Sequence, residues 1–303
     1  MTIFPRTKWQ HITFTMPDKL WDFFWYNRHL FNMISPIAAG VIQELAKKQN
    51  LQVGIFTAIH TFGRDLKRNV HIHLSVTCGG LDENLKWQKI FFKERGIKRM
   101  WRYRIIKLFR DQFKNNNLIL TPEYNNEMLF KKLMQDLYNL NWYVNMQESS
   151  NNHVRNIEYL SRYLKKPPIS EARIEYYDGL CIKFKYLDHR TKSFEIFTIP
   201  ILNFIERLIR HIPDKHFRSI RYYGFLSNRT RSKLLPLVYS AIKQAAPAIV
   251  KQTITWRELI YKTFGIDPLL CPNCKIEMKL SSISHGLSPP ILLFNANKII
   301  SRL

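Results

Sequence analysis

The chain has 303 residues, 46% hydrophobic and 14% aromatic, enough for one large core or two modest ones. Lys and Arg number 47 against 23 Asp and Glu, a net charge of +24 that repels itself in a compact fold unless a polyanion offsets it, so nucleic acid is the leading partner. No run of ~18 uncharged apolar residues occurs, no basic segment leads into an apolar one at the N-terminus, and four cysteines fit a reducing compartment; membrane spanning, secretion and a disulfide framework are disfavoured.

Lys8 to Thr15 alternates apolar and polar residues like a strand and ends at Met16-Pro17. Asp18 is placed to cap a helical stretch through Leu20, Phe23 and Phe24; Pro36 is expected to interrupt it before a second helix runs to Lys48. Gln52 to Thr61 is rich in β-branched residues and reads as a strand. Gly63-Arg64-Asp65 turns the chain into Asn69-Val70-His71-Ile72-His73-Leu74-Ser75-Val76-Thr77, which alternates with period two and breaks at Gly79-Gly80. The two strands read as an antiparallel hairpin. In the second, Ile72, Leu74 and Val76 share one face; His71, His73, Ser75 and Thr77 share the other. Two imidazoles on one open face can hold a divalent metal, although His-x-His alone also arises by chance.

Residues 86–114 hold eleven Lys/Arg against Glu94 and Asp111. Trp101, Ile105, Phe109 and Phe113 recur every four residues, predicting an amphipathic helix with a basic outer face that includes Arg102 and Arg104. That face could follow a phosphate backbone or simply be solvated. Thr121-Pro122 reads as a cap and first turn, followed by a helix marked by Leu129, Leu133 and Leu137. Trp142 to Gln147 is a further strand, and a helix is expected from about His153 to Lys165, stopped by Pro167-Pro168. Arg173 to Leu187 and Ser193 to Ile199 are two strand-like runs in a hairpin, and Ile201 to His211 is helical. Basic residues, Arg221 and Arg229 among them, follow. These features divide the chain into 1–170, an accessory hairpin and helix at 171–235, and a basic segment at 236–303 with Cys271-Pro272-Asn273-Cys274. The class is α+β.

In the helix after His153, Tyr159 and Tyr163 lie one turn apart. At about 100° per residue, Val154, Ile157, Leu160 and Leu164 cluster on one side, and the tyrosines point to the other, flanked by Arg155, Arg162 and Lys166. Packing tyrosines would join the apolar stripe. Phenols among cations suit attack on a phosphodiester, with a metal on His71 and His73 polarising the phosphate. The products would be a phosphotyrosine and a free 3′-hydroxyl.

With these residues together, the chain resembles the two-tyrosine rolling-circle transposases of the insertion-sequence-ninety-one type. His71-Ile72-His73 matches their HUH motif and Tyr159/Tyr163 their paired tyrosines. Ile12-Thr13-Phe14-Thr15, His60-Thr61-Phe62-Gly63 through Gly79-Gly80-Leu81, Arg221-Tyr222-Tyr223-Gly224-Phe225 and Cys271-x-x-Cys274 occur in the family's order. The resemblance implies a central antiparallel sheet with the histidines at its centre, flanked by helices. It implies nicking and joining of single-stranded DNA at transposon ends and targets through 5′-phosphotyrosine, with Mg²⁺ or Mn²⁺, in the bacterial cytoplasm at the nucleoid. His60 is the candidate third ligand, ahead of Gln147 and Glu148. Arg102, Arg104, Arg155, Arg162, Lys166, Arg221 and Arg229 are candidate DNA contacts. Family members usually begin with a cysteine-rich zinc-binding domain that is not expected here. Cys271 and Cys274 supply half of a tetrahedral zinc site, with His285 a third donor; a loop remnant or a pair completed elsewhere is the favoured reading. The competing function is a non-catalytic nucleic-acid-binding product of a degenerate mobile element.

Overall fold

The computed structural model describes residues 4–147, 167–188, 191–246 and 255–279. Two compact units divide at Pro247/Ala248. The first is built on a six-stranded antiparallel sheet. Strands β1 (Trp9–Thr15), β2 (Gln52–Phe62), β3 (Arg68–Leu81), β5 (Val144–Met146) and β9 (Ile220–Gly224) run in the order β5-β1-β3-β2-β9, and β4 (Trp87–Lys89) pairs with the end of β3. The class is α+β, as the sequence implies.

Alternation in the strands sets the two faces of the sheet. Ile12, Phe14, Ile55, Ile59, Ile72, Leu74 and Val76 enter the main core. That core is shared with α1 (Trp21–Tyr26), α2 (Phe31–Lys47), α3 (Glu94–Lys114) and α4 (Glu127–Asn139). Trp101 and Phe109 are fully buried in it, as their four-residue spacing predicts. On the opposite face, Trp9, Phe56 and Phe225 form a second cluster with α6 (Arg231–Ala241).

Several local expectations give way to tertiary packing. Pro36 does not break α2. It removes the N–H that would reach the Asn32 carbonyl, and Arg221 Nη1 donates to that oxygen instead (3.0 Å). The break before α2 falls at buried Asn27, whose amide bonds the Phe23 carbonyl (2.9 Å) and both backbone groups of Ile119. Asp18 lies inside the opening 3-10 turn and does not cap it. Gly79-Gly80 does not end β3: a Cβ on Gly79 would lie 2.5 Å from the Trp87 ring, so the glycines allow close approach within the sheet. For that reason 86–114 is not one helix; its first residues form β4, and α3 starts at Glu94. Thr121 and Pro122 do open a turn, the 3-10 turn Pro122–Tyr124, but Asn126 is what caps α4 after it, accepting from the Leu129 N–H (2.9 Å).

The run at Arg173–Leu187 is two strands, β6 (Ile174–Tyr177) and β7 (Cys181–Leu187), divided where Gly179 adopts φ 88°. With β8 (Phe194–Pro200) they make a three-stranded sheet, and α5 (Ile201–Ile209) follows. This accessory module closes around Leu66 from the β2–β3 turn, which is buried with Ile182, Phe184, Ile199 and Phe204. Three donors of the module also bind that turn: Arg173 reaches the Arg64 carbonyl, Arg207 Nη1 the Asp65 carbonyl (3.3 Å) and His211 Nε2 the Leu66 carbonyl (3.0 Å). Strand β9, which the sequence groups with the accessory segment, is an edge strand of the main sheet paired with β2.

In the second unit, Thr255 and Glu258 form a reciprocal cap on α7 (Trp256–Phe264), and Gly265 ends it at φ 70°. Arg257 ties this helix to Asp267 (2.8 Å) and Glu277 (2.6 Å).

Candidate metal centre

The β2–β3 register places His60 opposite His71 and Ala58 opposite His73. Since Ile72 enters the core, His71 and His73 project from the other face, where Phe56, Ala58 and His60 also point. Ala58 leaves room beside His73. One ligand atom from each of His60, His71 and His73 falls within 4.8 Å of the others, the sole group of three or more His, Cys, Asp or Glu among the described residues that could hold a metal ion. His60 is 8% exposed, and the other two are half-buried.

The hydrogen bonds fit coordination. His71 Nδ1 lies 2.8 Å from the Asn69 carbonyl. A carbonyl can only accept, so Nδ1 carries the proton and Nε2 is the unprotonated nitrogen, the one that could ligate a cation. Three neutral imidazoles suit a first-row ion such as Mn²⁺ better than Mg²⁺, which prefers oxygen. The residues present therefore fit a divalent transition ion.

A fourth histidine adjoins the trio, and the sequence singled out no role for it. His11 of β1 pairs with Ser75 in register. Its Nδ1 is 3.1 Å from Ser75 Oγ and its Nε2 3.1 Å from His73 Nδ1. Burial, with a smaller contribution from His60, pushes its pKa down to about 4, so it is neutral at physiological pH. Alternation alone places His11 only on the face of Thr13; its approach to His73 follows from the β1–β3 pairing, in which Thr13 lies opposite His73. On the far side, His211 Nδ1 accepts from Thr61 Oγ1 (3.0 Å) while its Nε2 donates to Leu66. A cavity of about 200 Å³ opens there, lined by His60, Phe62, His211, Phe217, Arg28 and Arg210.

Tyr159, Tyr163, Arg155, Arg162, Lys166, Glu148 and His285 lie outside the described residues. Gln147 follows β5, and its N–H donates to the His11 carbonyl (3.0 Å). Among the candidate DNA contacts, Arg104 pairs with Glu44, joining α3 to α2. Arg102 donates to the Leu140 carbonyl (3.0 Å) and stacks over Tyr138. Arg221 binds Asn32 through its carbonyl and its side chain. Arg229 is exposed, at the edge of a cavity of about 650 Å³ that Lys47 and Thr230 also line. In the second unit, the Cys271 and Lys275 N–H groups bond across the Cys-x-x-Cys turn, to Ile276 and Cys271 carbonyls (both 3.0 Å). Backbone N–H groups of Cys274 and Asn273 hold the Cys271 thiol below its usual pKa.

Residues 54–233 match the family described as "Putative transposase". The chain is 37% identical to the transposase for insertion sequence element IS801 of Pseudomonas savastanoi pv. phaseolicola, over 97% of this chain and 72% of that protein. It is 23% identical to putative transposase y4qJ of Sinorhizobium fredii (strain NBRC 101917 / NGR234), over 94% of this chain and 76% of the relative. No solved structure matches it.

Proposed function

The chain belongs to this transposase family, and from that premise we propose that it nicks and rejoins single-stranded DNA through a 5′-phosphotyrosine intermediate. The observation that carries the reading is the convergence of His60, His71 and His73, from the two strands of one hairpin, on one face of the sheet. A divalent ion held by these imidazoles, Mn²⁺ or Mg²⁺, would polarise the scissile phosphate and offset charge on its oxygens.

The remaining chemistry belongs to the protein. The Tyr159 or Tyr163 hydroxyl attacks phosphorus, a P–O bond forms to the phenol oxygen, and the bond to the 3′ oxygen breaks. The phenol proton is given up and the 3′ oxygen gains one, leaving a 3′-hydroxyl and a 5′-phosphate on tyrosine. The link stays a phosphodiester, so a 3′-hydroxyl can reverse the step without ATP. A second tyrosine allows a second cleavage while the first end is attached. Arg155, Arg162, Lys166 and exposed Arg229 are the cations assigned to the backbone of the strand, in keeping with a net charge of +24.

The test is covalent capture. A labelled single-stranded oligonucleotide carrying the element end should run with the protein on a denaturing gel. Chelation should abolish the adduct, as should the double variant Tyr159→Phe/Tyr163→Phe. Undiminished labelling of that variant overturns the assignment. Salt-dependent DNA binding with no adduct under any metal would instead support a non-catalytic binding protein.

A further inference from the structure

We propose that His11 and Ser75 form a hydrogen-bonded relay that sets the tautomer of His73 and so positions it as a metal ligand. The proposal rests on the metal-site reading of the histidine trio. His11 is a positioning residue, acting through His73.

Two ring nitrogens 3.1 Å apart, His11 Nε2 and His73 Nδ1, bond only if one carries the hydrogen and the other the lone pair. Two arrangements satisfy this. In one, Ser75 donates to His11 Nδ1 and His11 Nε2–H donates to His73 Nδ1, which leaves the proton of neutral His73 on Nε2 and closes that atom to a cation. In the other, His73 Nδ1–H donates to His11 Nε2, and His11 Nδ1–H donates to Ser75 Oγ (3.1 Å). Only the second frees the Nε2 lone pair of His73. A cation on that atom therefore selects one orientation of the whole chain of bonds.

His71 differs, because the Asn69 carbonyl fixes its tautomer in advance. At His73 Nδ1 the contact among the described residues is another imidazole, and the serine hydroxyl behind that can either donate or accept. Thr13 Oγ1, 3.4 Å from His73 Nδ1 and 3.5 Å from His11 Nε2, borders the contact. His11 is 7% exposed and Ser75 1%, so water does not readily replace either partner. The strand register, His11 opposite Ser75 and Thr13 opposite His73, holds the relay in place.

The experiment is titration calorimetry of the metal-free chain with Mn²⁺ alone, with folding checked by circular dichroism. Wild type should bind and His71→Ala should not. His11→Phe, which keeps a ring but removes the acceptor, should weaken binding by ~10–100-fold, the usual effect of losing a ligand's outer hydrogen-bond partner. Ser75→Ala, the smaller change, should weaken it several-fold. His11→Gln, whose side-chain carbonyl can accept from His73 Nδ1–H, should stay within about threefold of wild type. If His11→Gln falls as far as His11→Phe, or folded His11→Phe binds like wild type while His71→Ala does not bind, the relay is overturned alone. If wild type binds no Mn²⁺, the metal-site reading fails with it.

Discussion

Arg221 is a basic residue of a transposase, yet its guanidinium is turned inward, and that sets up a test of structural against DNA-contacting roles. Pro36 sits in the second turn of α2 and leaves the Asn32 carbonyl without its helical donor. Arg221 Nη1 supplies the missing hydrogen bond (3.0 Å), a second nitrogen of the guanidinium binds the Asn32 side chain, and Nε reaches the Arg218 carbonyl (3.3 Å). A hydrogen bond from a charged donor contributes ~1.5–3 kcal/mol when buried; Asn32 is exposed, so Arg221→Ala should cost about 1–2 kcal/mol. In a Pro36→Ala background the restored backbone N–H takes the carbonyl, and the same change should cost about 1 kcal/mol less. Urea denaturation of the four proteins of the double-mutant cycle measures this coupling. Additivity within ~0.3–0.5 kcal/mol would refute the argument. An Arg221→Ala chain as stable as wild type, but with the salt slope of DNA binding lowered by about 1, would instead make Arg221 a phosphate contact.

The metal-free protein should lose stability as pH falls. The His11 pKa is depressed to about 4 from an unfolded value near 6.5, and burial lowers that of His211 as well. Below pH 6.5 the unfolded chain takes up protons that the folded one refuses, so stability should drop towards pH 4, by on the order of 3 kcal/mol from His11; a flat profile would contradict the buried neutral imidazole. Gly224→Ala should destabilise by more than ~3 kcal/mol, since φ is +61° and a Cβ would meet the Val53 carbonyl at 1.8 Å; a near-neutral melt would disprove that contact. Leu66→Ala should cost about 2–4 kcal/mol through the cavity left in the accessory module. Because Leu66 has φ 62°, Leu66→Gly should be no worse than Leu66→Ala, reversing the usual order, and a Gly variant ~1 kcal/mol weaker would refute the strain.

The sequence made the hairpin legible because its signal is local: alternation in β3 assigns Ile72 to the core and His71 to the opposite face without any knowledge of the partner strands. His60 followed from the same hairpin, since a two-strand register is fixed over a short loop. Features that depend on distant partners were not legible. Pro36 reads as a helix break because the donor that serves Asn32 in its place is 189 positions away in sequence. Gly79-Gly80 reads as the break that ends the strand because nothing local shows that Trp87 will lie against it. The role of His11 emerges only once β1 pairs with β3, beyond the reach of periodicity. The Arg-Tyr-Tyr-Gly-Phe stretch, recognised by resemblance, gains a physical account: Arg221 completes α2, Gly224 makes the close turn, and Phe225 fills the space over Gly54.

The histidine face owes its geometry to restraint at both ends of the β2–β3 hairpin. At the tip, Leu66 is sunk in the accessory module, and Arg173, Arg207 and His211 bind the three consecutive carbonyls of Arg64, Asp65 and Leu66. At the base, Gly79 lies against Trp87 and Gly54 against Phe225, spacings that no larger residue would permit. Register irregularities fall between Val53 and Ile55 and between His60 and Phe62, so the pairing from Ile55 to His60 is regular. Three imidazoles on such a frame would lose little further freedom in taking a cation, and less of the binding energy would be spent on ordering them. The accessory module thus acts on the candidate centre through the turn it grips, without supplying a member of the histidine trio.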